Sequence, residues 1–153
     1  MDMNGEERIE APRDTVWEAL NDPDVLRQSI PGCQSLEKTD DNAFAAKVKV
    51  KIGPVNATFN GNVTLQNINP PESYTIVGEG NGGIAGFAKG SADVTLTPDG
   101  DHTLLSYAVK AQVGGKLAQM GSRLIDSTSK KLAGQFFSNF NDVVTGKKEA
   151  AAS

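Results

Sequence analysis

The chain has 153 residues, with 19 Asp and Glu against 15 Lys and Arg, and a single cysteine, Cys33. That length can bury a core as one domain without metal or disulfide, and one cysteine allows no intrachain bridge. A net charge of −4 with a pI near 5.0 argues against nucleic acid as a partner, since phosphate binding needs clustered Lys and Arg. No stretch has the charged start and apolar run of a signal peptide or the length of a transmembrane span, so a reducing cytoplasm is the expected setting.

Met3 to Ala11 reads as an edge strand stopped by Pro12. Val16, Trp17 and Leu20 predict a short amphipathic helix over Arg13 to Leu20. Asp22-Pro23 restarts the pattern as N-cap and first helical residue of a second short helix, which Ile30-Pro31-Gly32 ends. From Cys33 the period changes to two. Phe44, Ala46, Val48, Val50 and Ile52 alternate with lysines, Gly53-Pro54 turns the chain, and Val55 to Leu65 repeat the alternation. Asn69-Pro70-Pro71 and Pro98-Asp99-Gly100-Asp101 mark further turns, with a glycine-rich segment, Gly78 to Gly90, between them. The strand ending at Val113 meets Gly114-Gly115, and Gly115 to Val144 then reads as one proline-free helix. Leu117, Met120, Leu124, Leu132, Phe136, Phe140 and Val143 lie on one face of it. At 1.5 Å per residue it would run roughly 40 Å. The predicted fold is α+β, a curved seven-stranded antiparallel sheet wrapped around a long C-terminal helix, with two short helices between strands 1 and 2. One domain spans residues 1–144, and a polar, disordered tail spans 145–153.

Motifs for chemistry are few. Gly78 to Gly83 spells G-x-G-x-x-G, but the alternation from Ile84 to Leu96 continues as strand where a dinucleotide site needs a helix. His102, the one histidine, falls in a hairpin turn, and no metal-ligand spacing occurs. No catalytic residue, metal or cofactor is therefore expected. The inward positions are unusually small: Ala46, Ala57, Gly61, Gly78, Gly86, Ala88, Gly90, Ala92 and Ala111. Either volume is left open or backbones approach closely, and both readings apply to any one glycine. Concentration on one face favours a cavity. Its expected lining is Phe59, Tyr74, Ile84, Gly86, Ala88, Tyr107, Leu117, Met120 and Leu124, apolar with few polar anchors. Irregular backbone at Ile30, Pro31, Gly83 and Phe87 marks the expected entrance.

Over Ala11 to Trp17, Asn21-Asp22-Pro23, Ile30-Pro31-Gly32-Cys33, Phe59-Gly61, Gly80 to Gly83 and Gly114 to Arg123, the sequence resembles the carbon monoxide dehydrogenase G-subunit family. That family lies within the START-related, polyketide cyclase-like helix-grip superfamily. The resemblance covers Met3 to about Val144. It implies a hydrophobic tunnel between sheet and helix and a non-catalytic carrier of a quinone- or lipid-like molecule. The implied partner is a molybdenum-containing oxidoreductase of carbon monoxide dehydrogenase type, with peripheral contact at the inner face of the cell membrane. A small polyketide cyclase-like enzyme and an interaction module with a filled core are the alternatives.

Overall fold

Strand β1 (Asp2–Ile9) gives way at Pro12, whose fixed φ leads into helix α1 (Arg13–Leu20). Ala11, expected at the end of the strand, instead lies buried in the connection, where its carbonyl accepts the fully buried Thr103 hydroxyl at 2.7 Å. Asp22 caps helix α2 (Pro23–Ser29): its Oδ1 accepts the Asp24 amide at 2.9 Å, and Pro23 takes a position that needs no N–H. Six strands follow: β2 (Cys33–Asp40), β3 (Ala43–Ile52), β4 (Val55–Asn69), β5 (Ser73–Asn81), β6 (Phe87–Asp99) and β7 (His102–Gly114). A 3-10 turn, Gly83–Ala85, joins β5 to β6. The computed structural model describes residues 1–146. Thr145 and Gly146 close the last helix by donating to the Asn141 and Val143 carbonyls, and the remainder of the expected tail lies outside the described residues.

The single C-terminal helix of the sequence reading is two segments, the one-turn α3 (Lys116–Gln119) and the 23-residue α4 (Ser122–Val144). Gly121 separates them at φ 89° and ψ 151°, a conformation open to glycine and strained for other residues. The break shortens the long helix to about 35 Å. Ile125, rather than Leu124, becomes the buried residue of its first turn.

All seven strands pair antiparallel in the order β1-β7-β6-β5-β4-β3-β2, one sheet gripping α4. Its densest packing lies where α1 and α2 close one end: Ile9, Val16, Leu96, Leu105 and Phe140 are at most 2% exposed. The β3–β4 turn at Gly53-Pro54, the β5–β6 turn and the β7–α3 junction lie at the opposite end. Between the two ends the inner face is nearly bare. Ala46, Gly61, Gly80 and Ala88 are register partners in one row across β3 to β6, and Val63, Gly78, Gly90 and Ala111 form the next. Such rows cannot fill the distance to a helix.

Candidate functional site

Two cavities lie between sheet and helix. The larger, about 320 Å³, is walled by Met3 of β1, the inner faces of β3 to β7, Leu26 and Ile30 of the α2 segment, and Ala133, Phe136 and Phe137 of α4. Every side chain around it is hydrophobic, and only Tyr74 and Tyr107 carry a polar atom. The smaller, about 180 Å³, lies toward the turn end among Val50, Ile52, Phe59, Ala88, Val113, Leu117, Ile125, Thr128, Ser129 and Leu132.

Aromatic stacking sets the wall of the larger cavity. Tyr107 stacks on Phe137 at 5.3 Å, Phe137 meets Phe136 edge-on at 5.1 Å, and Tyr74 meets Trp17 of α1 edge-on at 5.3 Å. Gly5 of β1 lies against the Tyr107 hydroxyl, where a Cβ would collide with it. Burial drives the Tyr74 pKa well above the ordinary phenol value. Burial and, secondarily, the Glu7 carboxylate raise that of Tyr107. Both hydroxyls stay protonated near neutral pH. Among the described residues neither hydroxyl has a hydrogen-bond partner, so each is able to donate to a ligand acceptor it can reach.

The expected lining divides between these spaces and the surface. Tyr74, Tyr107 and the expected entrance residue Ile30 border the larger cavity, while Phe59, Ala88 and Leu117 border the smaller. Ile84, Gly86, Met120 and Leu124 border neither. Ile84 stands 90% exposed on the 3-10 turn, because that turn closes on itself and points its tip outward. Gly86, at φ 110°, lies against the Gly114 carbonyl, so it is a site of backbone approach and not of open volume. Met120 is half-buried at the end of α3, and Leu124 turns toward Gly53 after the break at Gly121. Pro31 borders a shallow surface depression beside Lys131 and Gly134, and Gly83 has nothing within 4 Å of its Cβ direction. Phe87 is 45% exposed and lies over Gly114.

The inner glycines resolve into both kinds. A Cβ on Gly61 or Gly80 would meet nothing nearer than 3.5 or 3.9 Å, so those positions leave space. Gly90 presses on the Lys110 carbonyl and lets the sheet bend. Sequence reasoning missed Ala133, Phe137 and Ile125, although Phe136-Phe137 side by side was a visible sign that the helix presents a broad apolar face. Gly86→Ala is expected to destabilise the fold by about 1–3 kcal/mol, the usual cost of such a backbone position for a residue with a Cβ. A denaturant titration with the midpoint unchanged would contradict the close approach.

The sequence pattern of the CoxG family, described as the G subunit of carbon monoxide dehydrogenase, matches residues 5–145. The chain belongs to that family. Among solved structures, a conserved protein from Geobacillus kaustophilus is 30% identical, with a TM-score of 0.89 over 95% of each chain. The Zhui aromatase/cyclase from Streptomyces sp. R1128 is 12% identical, with a TM-score of 0.70 over 99% of this chain and 97% of that one. Ara h 8.0201 is 15% identical, with a TM-score of 0.66 over 95% and 98%. The last two share the helix-grip fold. No curated protein sequence matches the chain. No helix among the described residues is long and apolar enough to cross a membrane, and no cluster of three or more His, Cys, Asp or Glu among them suits a metal.

Proposed function

We propose that this CoxG-family chain is a non-catalytic carrier of a hydrophobic, quinone- or lipid-like molecule. It serves a molybdenum-containing oxidoreductase of carbon monoxide dehydrogenase type as an accessory protein, in the cytoplasm and in peripheral contact with the membrane. The cavity of about 320 Å³ with a wholly hydrophobic lining carries the reading. Ligand pockets start at roughly this size, about 300 Å³, and apolar walls reward an apolar guest. Family membership supports the partner. Open volume of this size weighs against an interaction module with a filled core.

The enzymatic alternative draws on the fold shared with the aromatase/cyclase. A cyclase-like reaction needs a group that takes up or gives a proton near neutral pH inside the cavity. Tyr74 and Tyr107 are held protonated there, and His102 sits at the β6–β7 turn with Nδ1 3.3 Å from Arg8 Nη2. Purified protein extracted with organic solvent is expected to release a near-stoichiometric apolar molecule, identified by mass spectrometry. The stripped protein is expected to take up ubiquinone, menaquinone or fatty acid from a detergent solution. Uptake of none of these would overturn the carrier reading. Return of a chemically altered molecule would overturn its non-catalytic part.

A further inference from the structure

Charge along this molecule is sorted by end. Residues 42–71, 80–92 and 102–125 contain no Asp or Glu, yet they carry Lys47, Lys49, Lys51, Lys89, Lys110, Lys116 and Arg123. Many carboxylates lie at the other end, on α1 and at the start of α2 (Asp14, Glu18, Asp22, Asp24) and in the turns at Asp41, Glu72 and Asp101, while Glu79 near the end of β5 and Asp126 in α4 are the carboxylates nearest the basic end. Lys89 and Lys110 face carboxylates across the sheet, being register partners of Glu79 and Asp2. Lys51, Lys116 and Arg123 have no such partner, are exposed and form no ion pair among the described residues.

These three cations lie on segments that meet at the end of the molecule carrying one apolar tip. Lys51 lies two residues before Gly53 of the β3–β4 turn, and Gly53 lies against Leu124, next to Arg123. The Lys116 amide adjoins Gly86. Between them the β5–β6 turn is closed by its own hydrogen bonds: Gly82 N–H to the Gly86 carbonyl at 2.8 Å, Ala85 N–H to that of Gly82 at 3.2 Å, and Gly83 N–H to Asn81 Oδ1 at 2.8 Å. Ala85 and Gly86 are buried against the junction, so the turn is seated and displays Ile84 outward at 90% exposure, with Phe87 beside it at 45%. A seated turn with a bare isoleucine at its tip and exposed cations on the neighbouring segments matches an interface with an apolar layer beneath an anionic one.

We infer that this end docks on an anionic lipid bilayer, Ile84 and Phe87 entering the acyl boundary while Lys51, Lys116 and Arg123 meet the headgroups. The inference deepens the carrier reading, because Phe59 and Leu117 of the smaller cavity lie directly behind this surface. Docking itself needs no cargo. It is therefore tested with stripped protein and vesicles of phosphatidylcholine, alone or mixed equally with phosphatidylglycerol, by co-sedimentation at low and high salt. Parent protein is expected to bind the anionic vesicles and to be released by salt.

Ile84→Ser, and Ile84→Ser with Phe87→Ser, are expected to weaken binding about tenfold or more. Each of Lys51→Gln, Lys116→Gln and Arg123→Gln is expected to weaken it about fivefold. Val77→Ser, on the outer sheet face at 37% exposure, is expected to change nothing. Ile84→Ser removes a side chain that touches little, so its fold is safe even where Phe87→Ser disturbs the turn. Parent protein that ignores anionic vesicles, or variants that bind like the parent, would overturn the inference. So would a dimer in size-exclusion chromatography that Ile84→Ser splits, which assigns the tip to a second copy. Ligand uptake in detergent, measured on the same variants, stays at the parent level if docking alone is lost.

Discussion

Ala133→Leu and, independently, Ala92→Leu are expected to abolish ligand uptake, with at least about a tenfold loss of affinity and no loss of fold. The two alanines face the larger cavity from opposite walls, Ala133 from α4 and Ala92 from β6. A leucine at either site extends into empty volume and competes with the guest for the same space. Filling a void in this way normally holds or raises stability. The measurement pairs a melting curve with titration of a quinone or fatty-acid probe. A variant that melts like the parent and still takes up probe at parental affinity would place the guest outside this cavity.

Phe140→Ala is expected to cost about 3–5 kcal/mol, the range for an aromatic side chain removed from a packed interior. Phe140 is fully buried in the dense end of the core and stacks on Phe136 at 5.8 Å. Phe136→Ala should cost clearly less, because Phe136 already borders open volume and has fewer atoms around it to lose. Urea unfolding of both variants separates the two. Equal losses would mean that the interior is packed evenly along the helix, with no dense end and no hollow middle.

The alternation of Phe44 to Ile52 with Lys47, Lys49 and Lys51 made the strands readable, because a half-buried sheet imposes a period of two on any sequence that forms it. The caps of α2 were equally plain in Asp22-Pro23. The interruption at Gly121 was not. Met120 keeps the helical spacing across it, and a glycine within an apolar rhythm reads as tolerated until its positive φ is seen. That lost break misplaced the first turn, where Ile125 rather than Leu124 is buried, while Ala133 and Phe137 were missed because the inner face is broader than the Leu132, Phe136 and Phe140 stripe that the spacing showed. Which glycines give space and which give contact was also hidden. Gly80 and Gly86 look alike in sequence and differ in backbone, Gly86 at φ 110° and Gly80 within a strand, and in what their neighbours place opposite them.

The hollow between the bare rows of the sheet and α4 also bears on how long each molecule survives. A chain of this length has the side chains to pack its middle and leaves it open, so the guest supplies contacts that neighbouring residues do not. Its occupancy then enters the folding equilibrium itself: at a hundredfold excess over its dissociation constant a guest adds about 2.7 kcal/mol to stability. On the proposed carrier reading, loaded molecules would resist unfolding and proteolysis more than empty ones. If the chain is the carrier proposed above, its standing amount would follow the supply of its guest, with no sensor beyond the cavity.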